Sequence, residues 1–280
     1  CGLRRRLIRP PVNANTMKVA ALQLVSTPRA ADNLARAAHW VGEAAAAGAQ
    51  FVALPEYFCL MGQQDEDKLG IAETLDTPGV IQHTLRDLAR GHGIWLLGGT
   101  LPLRAASGKV TNTSLVYAPD GHLAARYDKI HLFSFNSGLG ESYDEGRVQQ
   151  AGQQPVAFDL AGWRTGLSIC YDLRFPELYR ALAPELICAP SAFTHTTGKA
   201  HWELLLRARA VENLAYVVAP AQGGTHENGR KTWGHTMIVD PWGEVLAEVP
   251  EGEGMAVAVL ERRRLEAVRK ALPCLQHRRL

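Results

Sequence analysis

Residues 163–180 read WRTGLSICYDLRFPELYR, and they set the frame for the rest of the chain. Thr165 to Ile169 is a short apolar run, read as a strand that ends in Cys170. A polar turn follows through Tyr171, Asp172, Leu173 and Arg174. Pro176 then opens a short helix, in the first turn, where a missing N–H costs nothing. A strand that stops at a cysteine and hands over to a turn and a helix places that thiol at a sheet edge, within reach of a ligand. Most cysteines in soluble proteins are small buried hydrophobes. Here a charged, aromatic turn comes at once, and its backbone N–H groups could face a bound oxyanion. A nucleophilic reading needs two further parts from elsewhere, a base and an oxyanion stabiliser.

Upstream, Met17 to Val25 (MKVAALQLV) reads as a buried strand and residues 29–48 as an Ala-rich helix closed by Gly48. Phe51 to Leu54 is a second strand, running into Pro55-Glu56-Tyr57. This strand–helix–strand unit delivers a carboxylate at a strand end, where open α/β sheets place their sites. A glutamate in a turn is usually solvated. Glu56 is flanked by FVALP and YFCLMG, which should partly desolvate it and suits a general base. Val80 to Arg90 is an amphipathic helix, Ile94 to Leu101 a strand with a Gly98-Gly99 pair, and Thr111 to Ala118 a strand that pairs with Leu123 to Tyr127 as a hairpin. Lys129 follows at the end of that hairpin, hemmed by Ile130, Leu132 and Phe133. A lysine is ordinarily a surface cation; this one is placed to be a fixed one. His131 is read as a structural hydrogen-bonding residue. Residues 134–144 suit a binding loop over a scaffold. Further on, a helix over Lys199 to Asn213 is expected to turn Leu204, Leu205, Ala208, Val211 and Glu212 inward.

Composition narrows the function classes. The 280 residues suffice for a large core, and 46% are hydrophobic. Lys+Arg 30 against Asp+Glu 28 leaves +2, with no general pull toward nucleic acid or a membrane. No apolar run is long enough to span a bilayer. Cys1, Cys59, Cys170, Cys188 and Cys274 are scattered, with no CxxC, so reduced thiols in the cytoplasm are expected rather than disulfides or a zinc site. Residues 1–16 are basic and contain Pro10-Pro11, and are expected to form a disordered extension ahead of a natural start at Met17; residues 17–280 are expected to form a single domain.

Glu56, Lys129 and Cys170 each follow a separate strand, and together they meet the needs of one reaction class. A thiol attacks as the thiolate. A carboxylate can take its proton, and a fixed cation with N–H donors can hold the oxyanion. No Ser-His-Asp set, HExxH, GxxxxGK[ST] or GxGxxG competes. The stretches FVALPE (51–56), YDKIHLF (127–133) and GLSICYDLRFPELYR (166–180) resemble the nitrilase superfamily of carbon–nitrogen hydrolases, over nearly all of Met17 to Leu260. That resemblance implies an α/β fold, a four-layer α-β-β-α sandwich, with Glu56 as base, Lys129 on the oxyanion and Cys170 as the nucleophile that forms a thioester. It implies the Tyr171 N–H as a second oxyanion donor, no cofactor, and homodimers or larger homo-oligomers packed through helices near the Cys turn. Family members carry a further glutamate beside the triad; Glu141 in GESYDEG matches it, with Glu145 as the alternative because the loop is short.

PSAFTHTTGKAHWELLLRARAVEN (190–213) and AQGGTHENGRKTWGHTMIVDPWG (221–243) look most like the branch that hydrolyses deaminated glutathione to 2-oxoglutarate and cysteinylglycine, a metabolite-repair reaction. The omega-amidase branch, acting on 2-oxoglutaramate, is the near neighbour. Both substrates are small amides with a 2-oxo acid end. Arg174 either pairs with that carboxylate as a bidentate fork or makes an ion pair with an acid such as Glu177; Phe193 and Thr194 are expected to line the pocket. A nitrilase proper and a catalytically silent nitrilase-fold binding module are the other readings. The module is disfavoured because Glu, Lys and Cys are all present.

Overall fold

Successive residues of a strand face opposite sides of its sheet, and here both sides are apolar. The computed structural model describes residues 15–136, 138 and 142–279. In the strand Thr16–Gln23, Met17, Val19 and Ala21 join one buried cluster, while Ala20 and Leu22 join another. Phe51–Ala53 splits the same way, with Phe51 and Ala53 on the first side and Val52 on the second. A sheet apolar on both faces has to be covered on both, and that requirement produces the layers.

The first sheet runs in the order Gly254–Glu261, Thr16–Gln23, Phe51–Ala53, Trp95–Leu97, Val110–Tyr117 and Leu101–Arg104, with Leu123–Asp128 also paired to Val110–Tyr117. The second runs Val245–Val249, Thr236–Val239, Tyr216–Ala219, Leu186–Cys188, Trp163–Leu167 and Ala157–Leu160. Each has parallel strands at its centre and antiparallel ones toward the edges. The inner faces pack on one another in one cluster. Helices Ala30–Ala46 and Val80–His92 cover the outer face of the first sheet, through Val41, Ile81 and Leu85. Pro176–Leu182 and His195–Asn213 cover the second through Tyr179, Trp202 and Leu206. The result is the α-β-β-α sandwich expected from the sequence motifs.

Some local readings change. The expected strand at 94–101 continues to Arg104 with a break at Gly98-Gly99-Thr100, where one residue is inserted: Leu97 faces Val116, and Leu101 faces Thr113. Gly99 has φ +52°, and a Cβ there would meet the Pro55 carbonyl at 2.1 Å. The glycine pair therefore lets this strand press against the residue before Glu56. The helix expected from Lys199 begins at His195, because Thr194 caps it by accepting the Thr197 N–H at 3.2 Å. Its inward stripe is Trp202, Leu206, Arg209, Ala210 and Asn213, whereas Leu204 and Val211 are exposed. The strand at the start of the domain includes Thr16, paired with Glu261; residues 1–14 of the expected extension lie outside the described residues. Among the described residues no helix is long and apolar enough to cross a membrane. The described cysteines, Cys59, Cys170, Cys188 and Cys274, are all free thiols.

Candidate active site

The three strand-end residues converge. Phe51–Ala53 and Leu123–Asp128 in the first sheet deliver Glu56 and Lys129, and Trp163–Leu167 in the second delivers Cys170 across the interface. Lys129 is fully buried (0%) and so is Glu56 (1%). The ammonium donates to Glu56 Oε1 at 2.9 Å and to both oxygens of Glu145, at 2.9 and 2.8 Å. Burial alone would push the lysine toward its neutral form, but the Glu145 and Glu56 carboxylates outweigh it and hold it well above its ordinary range. The same pairing holds Glu145 below the usual carboxylate range against the pull of its own burial.

Glu145, the alternative noted in the motif, is thus the second glutamate bonded to Lys129 among the described residues, and Glu141 lies outside them. Glu145 is fixed from three sides: it also accepts the Tyr57 hydroxyl at 2.8 Å and the Phe133 N–H at 2.8 Å. Glu56 is fixed by residues that sequence reading passed over. Asn112 Nδ2 donates to Glu56 Oε1 at 2.9 Å. The Gln222 amide, fully buried, donates to the Glu56 carbonyl at 3.0 Å and to Ser26 Oγ at 2.8 Å. Such a cluster of buried charges is tolerated only because every member has its partners.

Cys170 opens a short 3-10 turn, Cys170–Arg174, with φ +50°. A non-glycine residue in that region costs on the order of 1 kcal/mol and must be held there. Asp172 does the holding. It is fully buried, and its carboxylate accepts the Tyr127 hydroxyl at 2.7 Å, the Ile169 N–H at 2.8 Å and the His131 N–H at 3.1 Å, and pairs with His131 Nδ1 at 2.7 Å. His131, read from sequence as structural, stacks on Phe175 at 3.6 Å. Arg209, from the helix behind, donates to the Leu173 carbonyl at 2.9 Å. The Cys170 thiol is pushed well above its ordinary range by burial first and by the Glu56 charge second, with Lys129 opposing.

A small pocket lies over the thiol. Glu56, Glu145 and Cys170 share it with Tyr171, Arg174, Phe193 and Thr194, so all four expected substrate-side residues line it. Arg174 makes no ion pair with Glu177 or any other acid among the described residues. Its Nη2 lies 3.2 Å from His201 Nδ1, and its guanidinium sits 5.9 Å from the Tyr171 and Phe193 rings. Arg230, from the glycine-rich loop after Gln222, is a second arginine in the wall that sequence reading did not single out. Its signal was the isolated Arg in that loop, directly before the strand Lys231–Trp233.

A thiol, a carboxylate and a buried ammonium thus meet at one end of two facing sheets. The sequence model of carbon-nitrogen hydrolases matches residues 18–270, and the chain belongs to that family. Among its relatives, the deaminated glutathione amidase of Synechocystis sp. is 44% identical over 92% of this chain and 97% of its own. The omega-amidase NIT2 of Homo sapiens is 36% identical over 94% and 95%. The crystal structure of Saccharomyces cerevisiae Nit3, a member of branch 10 of the nitrilase superfamily, superposes with a TM-score of 0.87 at 31% identity, covering 97% of this chain and all of that one.

Proposed function

We propose that the chain hydrolyses a linear amide through a thioester on Cys170. Glu56 takes the thiol proton and the sulfur bonds to the amide carbon. Lys129, with the Tyr171 N–H, stabilises the oxyanion. The tetrahedral intermediate collapses, the C–N bond breaks, and the departing amine leaves with the proton from Glu56. Water then gives a proton to Glu56 as its oxygen attacks the thioester. The acid departs, and Cys170 regains its proton. The observation that supports this most is the buried Glu56–Lys129–Glu145 cluster, whose two carboxylates share one pocket with Cys170. Glu145 is a positioning residue: it keeps Lys129 charged and aimed.

The substrate we infer is deaminated glutathione. The similarity to relatives of that name and the pocket Arg174, suited to a 2-oxo acid carboxylate, support it. Omega-amidase activity on 2-oxoglutaramate is the second reading, favoured by the likeness to the human enzyme. The chain is proposed to work in the cytoplasm, with free thiols, as a homodimer or larger homo-oligomer. Leu204 (67% exposed) and Val211, one helical stripe on the outer face of His195–Asn213, support packing through that helix. Release of 2-oxoglutarate, the product common to both substrates, tests the assignment at matched concentrations with Cys170→Ala as the blank. Preference for deaminated glutathione is expected. Preference for 2-oxoglutaramate moves the chain to the omega-amidase reading, and full turnover by the alanine variant removes the mechanism.

A further inference from the structure

We propose that the open groove beside the pocket seats the leaving group, and that Arg230, at the threshold between them, binds a carboxylate carried by the departing amine. The proposal rests on the amide-hydrolase reading above and deepens it by assigning a residue to the departing amine.

Size gives the first argument. The enclosed space over the thiol is small. A 2-oxo acyl group with its carboxylate on Arg174 occupies such a space, and a peptide on the other side of the scissile bond has to continue outward. The adjoining groove is the available direction, bordered by residues 62–66, Tyr143, Arg147 and Asn228; Arg230 lines both it and the pocket.

Charge gives the second. Each acid around Arg230 already has its own partner: Asp65 pairs with Lys68 at 2.7 Å, Glu66 with Arg147 at 2.8 Å, Glu145 with Lys129, and Glu56 with Lys129 and Asn112. Among the described residues no carboxylate bonds to Arg230. Its Nη2 donates to the Ala192 carbonyl at 3.2 Å, its guanidinium lies 4.9 Å from the Tyr143 ring, and its Nε, buried, has no hydrogen-bond partner. A guanidinium whose Nε is buried and unused is costly unless an anion completes it. The residue is held rigidly for that task. Its N–H donates to Asn228 Oδ1 at 2.9 Å, its carbonyl accepts the His226 N–H at 2.9 Å, and the strand that follows is tied to Phe193 by the Trp233 N–H at 3.0 Å. The pocket therefore has two arginines for two carboxylates, one on each side of the bond to be cut.

The test compares kcat/KM for three substrates: deaminated glutathione, its C-terminal carboxamide, and 2-oxoglutaramate. Arg230→Gln is expected to lower the first by about 10- to 100-fold, the strength of a charged hydrogen-bonding fork. The other two should fall by less than about 5-fold, so that discrimination between acid and carboxamide is lost. Arg230→Lys should restore part of that discrimination and guards against a glutamine variant that folds poorly. Arg174→Gln should depress all three, because all share the acyl carboxylate. An equal loss on the three substrates with Arg230→Gln and Arg230→Lys, or no loss, overturns the assignment and leaves the hydrolase reading intact. Failure of the unmodified protein to cleave any of them removes both.

Discussion

Replacing Lys129 by Met probes the centre of the account, because the side chain is isosteric and only the charge goes. The ammonium is the sole cation bonded to Glu56 and Glu145 among the described residues, and both carboxylates are largely out of water (1% and 12% exposed). Removing one partner of a buried pair typically costs about 3–5 kcal/mol, since the remaining charge is left uncompensated. Unfolding entropy of roughly 2 cal/mol/K per residue, over 280 residues, converts that to a fall in Tm of about 5–9 °C. The pH dependence has a definite sign. In the unmodified protein the Glu145 pairing lowers its folded-state pKa, so its stabilisation is present above the unfolded carboxylate pKa and is lost as pH falls through the folded value. In Lys129→Met, burial and mutual repulsion favour the protonated carboxyl, so the deficit should be largest at pH 7.5 and shrink toward pH 5. Adding Glu145→Gln should recover part of the loss by removing one of the two stranded charges. Thermal melts followed by circular dichroism at both pH values measure this. A Lys129→Met protein that melts within 2 °C of the parent at pH 7.5, or whose deficit grows on acidification, refutes the reasoning.

Glu56→Gln should separate base catalysis from thiol reactivity: amide turnover falls by about 10²-fold or more, while iodoacetamide labels Cys170 faster at pH 7.5, because a charge that raises the thiol pKa is gone. Slower labelling than in the parent contradicts that. Gly99→Ala, at φ +52° and 2.1 Å from the Pro55 carbonyl, should displace Glu56 and lower kcat by about tenfold or more; Gly108→Ala, at φ +82° with nothing within 4 Å, should cost about 1 kcal/mol of stability and leave kcat alone. Equal kcat in the two variants shows that the Gly99 contact does not position the base. Asp172→Asn loses acceptor capacity toward Tyr127, Ile169 and His131, so about 1–3 kcal/mol of stability should go and kcat should fall more than KM rises. A change confined to KM argues that the Cys170 turn is not held by Asp172.

The convergence of Glu56, Lys129 and Cys170 was legible because each sits at a strand end beside a turn, where local pattern alone marks an odd residue: a Glu inside an apolar run, a Lys before a loop, a Cys before a charged turn. The layers were legible for a related reason, since runs such as MKVAALQLV have no polar face and demand cover on both sides. What the pattern missed depends on contacts distant in sequence. Asn112 reads as one more residue of a strand, and only the fold carries it to Glu56, 56 positions away. Gln222 looks like loop composition until its amide is seen tying Ser26 to Glu56. The long helix misled because Leu204 and Val211 are apolar yet face outward, while Arg209, charged, faces in to hold the turn after Cys170. Between the two glutamates of GESYDEG, sequence pointed first to Glu141, which lies outside the described residues; the structure shows Glu145 on Lys129.

Hydroxylamine partitioning shows whether Cys170 carries an acyl group during turnover. Deaminated glutathione and 2-oxoglutaramate share the 2-oxoglutaryl moiety and differ only in the amine that leaves. If both pass through one thioester, hydroxylamine must intercept the same intermediate, and the ratio of hydroxamate to 2-oxoglutarate should be identical for the two substrates and absent with Cys170→Ala. A ratio that depends on the leaving amine, or turnover that survives in Cys170→Ala, contradicts the account.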